Sequence, residues 1–86
     1  MRWRRSRQVL WRRAPGYLVL ATTDDCTIEV DGPGCDVWEL LSGWATEEEL
    51  TAALAREYGA EEQIVSRDVR SLLGELHAQG YVDRGD

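Results

Sequence analysis

The chain has 86 residues, of which 43% are hydrophobic and 30% are charged, and its formal net charge is −6. A chain of this length forms one domain with a modest core and has little room for a deep catalytic pocket. No apolar run approaches the roughly 20 residues that cross a bilayer, and the start lacks the apolar segment of a secretory signal. We therefore expect a cytoplasmic protein that binds no membrane.

Basic and acidic residues are segregated along the chain. The first 13 residues contain six arginines and no acidic residue, whereas the remainder carries all 16 acidic residues and only four arginines. A largely acidic body differs from the basic surface that binds nucleic acids. We expect residues 1–6 to be a flexible basic arm, which either binds an acidic partner or keeps a neighbouring strand edge soluble. Residues 7–86 are expected to form a single domain.

The first half of the chain predicts three strands. Residues 8–13, 17–22 and 26–31 are short runs of apolar and alternating residues, and turn signals at 14–16 and 23–25 separate them. Because turns this short connect neighbouring antiparallel strands, the three runs predict an antiparallel meander.

The second half predicts three helices, over residues 34–42, 46–58 and 66–79, the last of which an extra turn from residue 61 would lengthen. Thr46 precedes the second helix, and Glu49 follows three residues later, as in a capping box. Gly59 and Gly80 are suited to end the second and third helices. Strands followed by helices predict an α+β fold, here a winged helix-turn-helix with a three-stranded meander followed by three helices.

Residues that usually catalyse reactions or bind metals are sparse and scattered. Cys26 and Cys35 are the only cysteines and His77 is the only histidine. They are too few for a zinc site and show no nucleophile–base pair. We therefore expect no enzymatic activity, no metal and no cofactor. A reducing compartment disfavours a disulfide, so both cysteines are predicted to be free and mostly buried.

The edge of the third predicted strand is less protected than that of the first. Arg7, Arg12 and Arg13 flank the first strand and discourage pairing with another chain, whereas residues 26–30 contain no lysine, arginine or proline. This open edge predicts binding of an extended peptide as a further strand. A proline at Ile28 is expected to block that pairing.

The third predicted helix provides a wall for such a groove. A strip at helical spacing contains Ser66, Val69, Arg70, Leu73 and His77. Arg70 either pairs with an acidic residue of the peptide or remains a solvated surface charge. Gly74 lies beside the strip, which indicates close approach either of another backbone or of the chain's own first helix, because glycine is costly within a helix.

The order and spacing of these motifs resemble the PqqD-like family, the leader-peptide recognition elements of pathways that modify ribosomally made peptides. The resemblance extends from residue 9 to residue 82. It is carried by V-L-W-R at 9–12, I-E-V-D-G-P-G at 28–34, V-W-E-L-L-S-G at 37–43, T-E-E-E-L-T-A-A-L-A-R-E-Y-G at 46–59 and D-V-R-S-L-L-G-E-L-H-A-Q-G-Y-V at 68–82.

The resemblance implies a non-catalytic winged fold that binds the leader of a precursor peptide beside the third strand and against the third helix. The leader is then passed to a maturation enzyme: a cysteine-protease-like leader peptidase, as in lasso peptide systems, a radical enzyme or a lanthipeptide-type enzyme. Carried over by position, the peptide-binding residues are Thr27, Ile28, Glu29, Val30, Val69, Arg70, Leu73 and His77. The segment 30–32 lacks the proline-glutamate step typical of the subgroup that serves pyrroloquinoline quinone synthesis, which argues against that pathway.

Two other functions fit the predicted fold. A winged-helix DNA-binding regulator would place the third helix in the major groove and the arginines on phosphates. That helix supplies only Arg67 and Arg70, beside Asp68 and Glu75. A small structural subunit would instead pair its open strand with a fixed partner protein. The sequence favours a precursor peptide as the partner, and not nucleic acid.

Overall fold

The computed structural model describes residues 1–22 and 26–85, so the turn predicted at 23–25 lies outside the described part. The strands are β1 (Arg2–Arg5), β2 (Leu10–Ala14), β3 (Tyr17–Ala21), β4 (Thr27–Asp31), β5 (Ala45–Thr46) and β6 (Val82–Gly85). The helices within this part are α1 (Pro33–Leu40), α2 (Glu47–Tyr58) and α3 (Glu62–Ala78). The predicted α+β class, a three-stranded antiparallel meander followed by three helices, is confirmed.

The meander has the order β2-β3-β4, with β3 in the centre. Leu18 and Leu20 of β3 face the helices and are almost fully buried. They pair across the sheet with Val30 and Ile28 of β4, so these two side chains point to the same inner face. The intervening residues of β4 therefore lie on the outer, solvent-facing surface of the sheet.

The prediction of a flexible arm at residues 1–6 is wrong for residues 2–5. They form β1, the central strand of a second sheet with the order β5-β1-β6. Trp3 is only 4% exposed, lies opposite Ala45 and Arg84, and anchors the strand by its burial. A single tryptophan among arginines does not produce an apolar pattern, which explains why the sequence favours an arm here. The folded domain therefore includes β1.

A sharp corner connects β4 to α1. Gly32 has a φ of 55°, a conformation that favours glycine, and Pro33 occupies the first turn of the helix. A Cβ on Gly34 would lie 2.6 Å from Cγ1 of Val30, so a larger residue here would force the start of α1 or the Val30 side chain to shift. The corner thus holds the helix tightly against the end of the strand.

The ends of the other helices agree with the sequence at three points. Both capping-box bonds of α2 are present, from the Glu49 amide to Thr46 Oγ1 at 3.1 Å and from the Thr46 amide to the Glu49 carboxylate at 2.9 Å. Gly59 ends α2 in the left-handed conformation. The extra turn of α3 is formed, and the helix begins at Glu62.

The core lies between the inner face of the meander and the three helices. Its largest fully buried side chains are Trp38, Tyr81, Leu18, Leu20, Leu41, Leu50, Leu73 and Val37. The cysteines are free, as predicted, and Cys35 is half-buried. Cys26 is exposed, so the prediction of a buried thiol is wrong there. It lies one residue before the first residue of β4.

Gly74 has open space around it. A Cβ on this residue would meet no other heavy atom within 4 Å among the described residues, beyond its own helix and neighbours. The predicted tight contact between Gly74 and the first helix is therefore wrong. Approach of another molecule's backbone to this residue stays a prediction.

Candidate functional site

Strand β4 has an unpaired main-chain edge. It pairs on one side with β3, and no strand of the described residues pairs with its other side. The Thr22 amide donates to the Cys26 carbonyl at 3.0 Å, which marks this pair as hydrogen-bonded. Because hydrogen-bonded pairs alternate along an antiparallel ladder, Ile28 and Val30 also bond to β3, and the main chain of Glu29 points to the free edge.

This alternation corrects the expectation about Ile28. A proline there would remove a hydrogen bond within the meander, between β4 and β3, and would not remove a donor from the free edge. The outward amides of the strand are those of Thr27, Glu29 and Asp31. A proline at Glu29 is the substitution that removes a donor from the free edge.

Helix α3 runs beside this edge and forms a groove with it. The groove has a volume of about 390 Å³. Its lining residues come from β4, the corner and one face of α3, and they are Ile28, Glu29, Val30, Asp31, Pro33, Gly34, Asp68, Leu72, Glu75, Leu76 and Gln79. The residues from α3 recur every three or four positions, which places them on a single helical face. The groove therefore combines an open strand edge with a largely apolar floor.

The groove continues into an apolar pocket between the three helices. The pocket has a volume of about 260 Å³ and shares Pro33, Gly34, Asp68 and Leu72 with the groove. Its remaining lining residues are Val37, Leu54, Tyr58, Ala60, Ile64, Val65 and Val69. An extended segment in the groove would thus have space for a large apolar side chain at the corner end.

Two hydrogen bonds support the walls of this pocket. The Tyr58 hydroxyl donates to the Asp36 carboxylate, joining α2 to α1, and this bond raises the pKa of Tyr58 to about 12. The Cys35 thiol donates to the Val30 carbonyl at 3.3 Å, joining α1 to β4. Burial raises the pKa of Cys35, which keeps the thiol protonated as a donor.

The structure brings the predicted residues of β4 to the groove. Ile28, Glu29 and Val30 line it. Thr27 is exposed at the start of the strand, next to the residues of β4 that line the groove. The outward main chain of this predicted segment is therefore that of Thr27 and Glu29, whereas Ile28 and Val30 bond to β3.

The predicted residues of α3 are placed differently. Val69 and Leu73 are buried in the core at 2% and 0% exposure, although Val69 also contributes to the wall of the adjoining pocket. Arg70 lies 3.7 Å from a carboxylate oxygen of Glu47 on α2. His77 packs against Trp3 with its ring centroid 5.6 Å away. Of these four, the structure brings none into the groove itself.

The groove-facing residues of α3 that the sequence reasoning missed are Asp68, Leu72, Glu75, Leu76 and Gln79. Leu72 and Leu76 fall in the apolar pattern of the helix, and this pattern indicates burial but does not indicate a groove. Asp68, Glu75 and Gln79 could not be assigned to the groove from the sequence. A polar residue beside a groove has the same helical spacing as one on an ordinary solvent-facing surface.

The amino-terminal arginines are used within the fold. Arg4 pairs with Asp83 at 3.4 Å and lies 4.4 Å from the ring centre of Trp44. Arg5 donates to the carbonyl oxygens of Trp38 and Glu39. An arm that reaches over DNA phosphates is therefore not formed by these residues. The exposed surface of α3 also carries Asp68, which opposes docking in a major groove.

The described residues form neither a metal-binding cluster nor a membrane-spanning helix. No cluster of three or more His, Cys, Asp or Glu side chains has a geometry that would hold a metal ion. None of the helices in this part is long and apolar enough to span a bilayer.

These features define a small winged-helix domain with an open strand edge beside a helix-walled groove. A family model described as Coenzyme PQQ synthesis protein D (PqqD) matches residues 16–82. The chain therefore belongs to the PqqD family.

Solved structures agree with this membership. The structure of TbiB1 in complex with the TbiA(beta) leader peptide has a TM-score of 0.86 and 26% sequence identity, over 96% of this chain and 99% of that chain. The solution NMR structure of the PqqD truncation of Methylobacterium extorquens PqqCD, a stand-alone recognition element, has a TM-score of 0.81 and 24% identity, over 96% and 89%. The second similarity supports the fold alone. No curated protein matches the chain.

Proposed function

We propose that this protein binds the leader segment of a precursor peptide as an added strand on β4, against α3, and delivers it to a maturation enzyme. The observation that carries the proposal is the unpaired edge of β4 beside the groove. Membership of the PqqD family and the similarity to TbiB1, which was solved with a leader peptide, support it.

The proposal gives each part of the groove a role. The outward main chain at Thr27 and Glu29 supplies hydrogen bonds, which provide affinity for any extended peptide. The apolar floor contacts alternate side chains of the leader and provides specificity. Val69 and Leu73 support this floor from the core. The sequence assigns leader contacts of α3 to Arg70 and His77. In this proposal Leu72 and its neighbours on the groove-facing side of α3 make those contacts instead.

The proposed role is non-catalytic and cytoplasmic. The partner enzyme is a leader peptidase of the cysteine-protease-like type or a radical enzyme, as the family resemblance implies, and lasso peptides are one product class it serves. A second surface cavity is lined by Arg4, Arg5 and Arg7, among other residues, and shares no lining residue with the leader groove. An enzyme could therefore contact this surface while the leader is bound.

Isothermal titration tests the proposal. The protein is titrated with synthetic leaders from several peptide classes and, separately, with duplex DNA. We expect micromolar or tighter binding to one leader and none to DNA. Glu29→Pro should abolish leader binding, whereas Glu29→Gln, which keeps the outward amide and removes only the charge, should weaken it far less. Retained leader binding in a folded Glu29→Pro variant, or binding of DNA alone, would overturn the proposal.

A further inference from the structure

The charged residues that line the leader groove all have the same sign. Glu29 and Asp31 come from β4, and Asp68 and Glu75 come from α3, and no arginine or histidine lines the groove. All four carboxylates belong to exposed residues. None has an ion pair or a side-chain hydrogen bond within the described residues. They are therefore available to a bound cation.

Three carboxylates outside the groove, unlike those that line it, have an arginine nearby. Glu39 pairs with Arg13, Asp83 pairs with Arg4, and Glu47 lies near Arg70. Three arginines thus pair with acids away from the groove, and the groove acids have no ion pair among the described residues. A peptide that brings its own positive charges would complete the missing pairs.

The pleat of β4 determines where those charges must lie. Ile28 and Val30 point to the inner face, whereas Glu29 and Asp31 point to the outer face. A strand added beside β4 alternates its side chains in the same way. One set contacts the apolar floor formed with Leu72, and the other set lies beside Glu29 and Asp31 on the outer face, where opposite charges on neighbouring strands attract.

We infer that the groove selects a strand-forming leader segment in which apolar residues alternate with lysine or arginine. The apolar residues face α3, and the basic residues face the outer carboxylates. Asp68 and Glu75 on α3 add to the negative charge of the groove. This inference rests on the proposed function, because the open edge and the apolar floor provide the site and the carboxylates only determine its charge preference.

Three synthetic peptides test the inference. Each has twelve residues and blocked ends, with the same apolar residues at alternate positions and lysine, glutamine or glutamate at the others. Binding is measured by fluorescence anisotropy at low and high salt. We expect the lysine peptide to bind about tenfold more tightly than the glutamine peptide at low salt, since several exposed ion pairs each add little. The glutamate peptide should bind most weakly, and added salt should reduce the differences.

A matched pair of variants locates the effect. The double substitution Glu29→Gln with Asp31→Asn should remove most of the advantage of the lysine peptide. Glu48→Gln with Glu57→Gln makes the same change in net charge outside the groove and should leave the advantage intact. Equal loss in both double variants would indicate general attraction to an acidic protein and would overturn the inference.

The outcomes separate this inference from the proposed function. Equal binding of the three peptides, abolished by Glu29→Pro, would overturn the charge preference and leave strand addition standing. Tighter binding of the glutamate peptide, or failure of the lysine peptide to bind, would also overturn the charge preference. Failure of the proposed function is decided independently, by the titration with natural leaders and the response of that binding to Glu29→Pro.

Discussion

At the scale of single residues, Arg5 joins the amino-terminal strand to the end of α1. Its guanidinium donates to the Trp38 carbonyl at 2.7 Å and to the Glu39 carbonyl at 3.2 Å. These carbonyls belong to the last turn of α1, where they also accept backbone hydrogen bonds from the Leu41 and Ser42 amides at 3.2 and 3.3 Å. The same group lies 4.8 Å from the ring centre of Trp11. One arginine thus caps a helix and covers an aromatic side chain.

Replacement of Arg5 should therefore destabilise the fold. We expect Arg5→Ala to lower the free energy of unfolding by about 1–2 kcal/mol, because it removes charge-assisted hydrogen bonds and packing over Trp11. Arg7→Ala removes the same charge from an exposed residue and should cost less than about 0.5 kcal/mol. Urea denaturation followed by circular dichroism measures both. Equal effects of the two substitutions would contradict the capping role.

The Tyr58–Asp36 bond makes a prediction about pH. The pKa of Tyr58 is raised from 10.0 to about 12 in the folded protein, chiefly because its hydroxyl donates to the carboxylate. A raised pKa means that the bond contributes its full stabilisation below the unfolded value and loses it as the pH rises through the folded value. Ultraviolet titration of the wild type against Tyr58→Phe should show one phenol ionising near pH 12. Ionisation of that phenol near its ordinary value would contradict the bond.

At the scale of elements, α3 shows what helical periodicity does and does not determine. The apolar spacing predicts the helix and its buried residues, and Val69, Leu73 and Leu76 are indeed in the core. The same spacing does not state which neighbour covers each side of the helix. Of the predicted strip, Arg70 faces α2, where Glu47 lies, and His77 packs against β1, whereas the groove is on the side of Leu72. Only the packing of the helix against β4 distinguishes these two sides.

Two substitutions on α3 compare these sides directly. Leu72 is half-buried and lines both the groove and the adjoining pocket. Leu72→Ala should weaken leader binding by about tenfold, since burial of an aliphatic side chain is worth about 1.5 kcal/mol or more. Arg70→Ala should leave the affinity within about twofold, because exposed ion pairs away from the groove contribute little. Titration calorimetry of both variants, each shown to be folded, measures the difference. A larger loss of leader affinity in Arg70→Ala than in Leu72→Ala would indicate that the leader binds at the predicted strip around Arg70.

At the scale of the whole molecule, the features predicted correctly are those encoded by residues close together in the sequence. The features that the sequence analysis missed depend on contacts between distant parts of the chain. The capping box at Thr46 and the turn between β2 and β3 are encoded within a few residues, so the sequence reveals them. Strand β1 depends on pairing with β5 and β6, which lie far along the chain. Its only local signal is Trp3. The open edge of β4 was predictable from its composition, but the direction of its amides required the register with β3.

The most direct test of the account is amide hydrogen exchange along β4, measured by NMR with and without a leader that binds. The main chain of Glu29 and Asp31 points to the free edge, and that of Ile28 and Val30 bonds to β3. We expect the Glu29 and Asp31 amides to exchange rapidly in the free protein and to become protected by the leader, while the Ile28 and Val30 amides are protected in both states. Unchanged exchange at Glu29 and Asp31 in the saturated complex would contradict strand addition on β4.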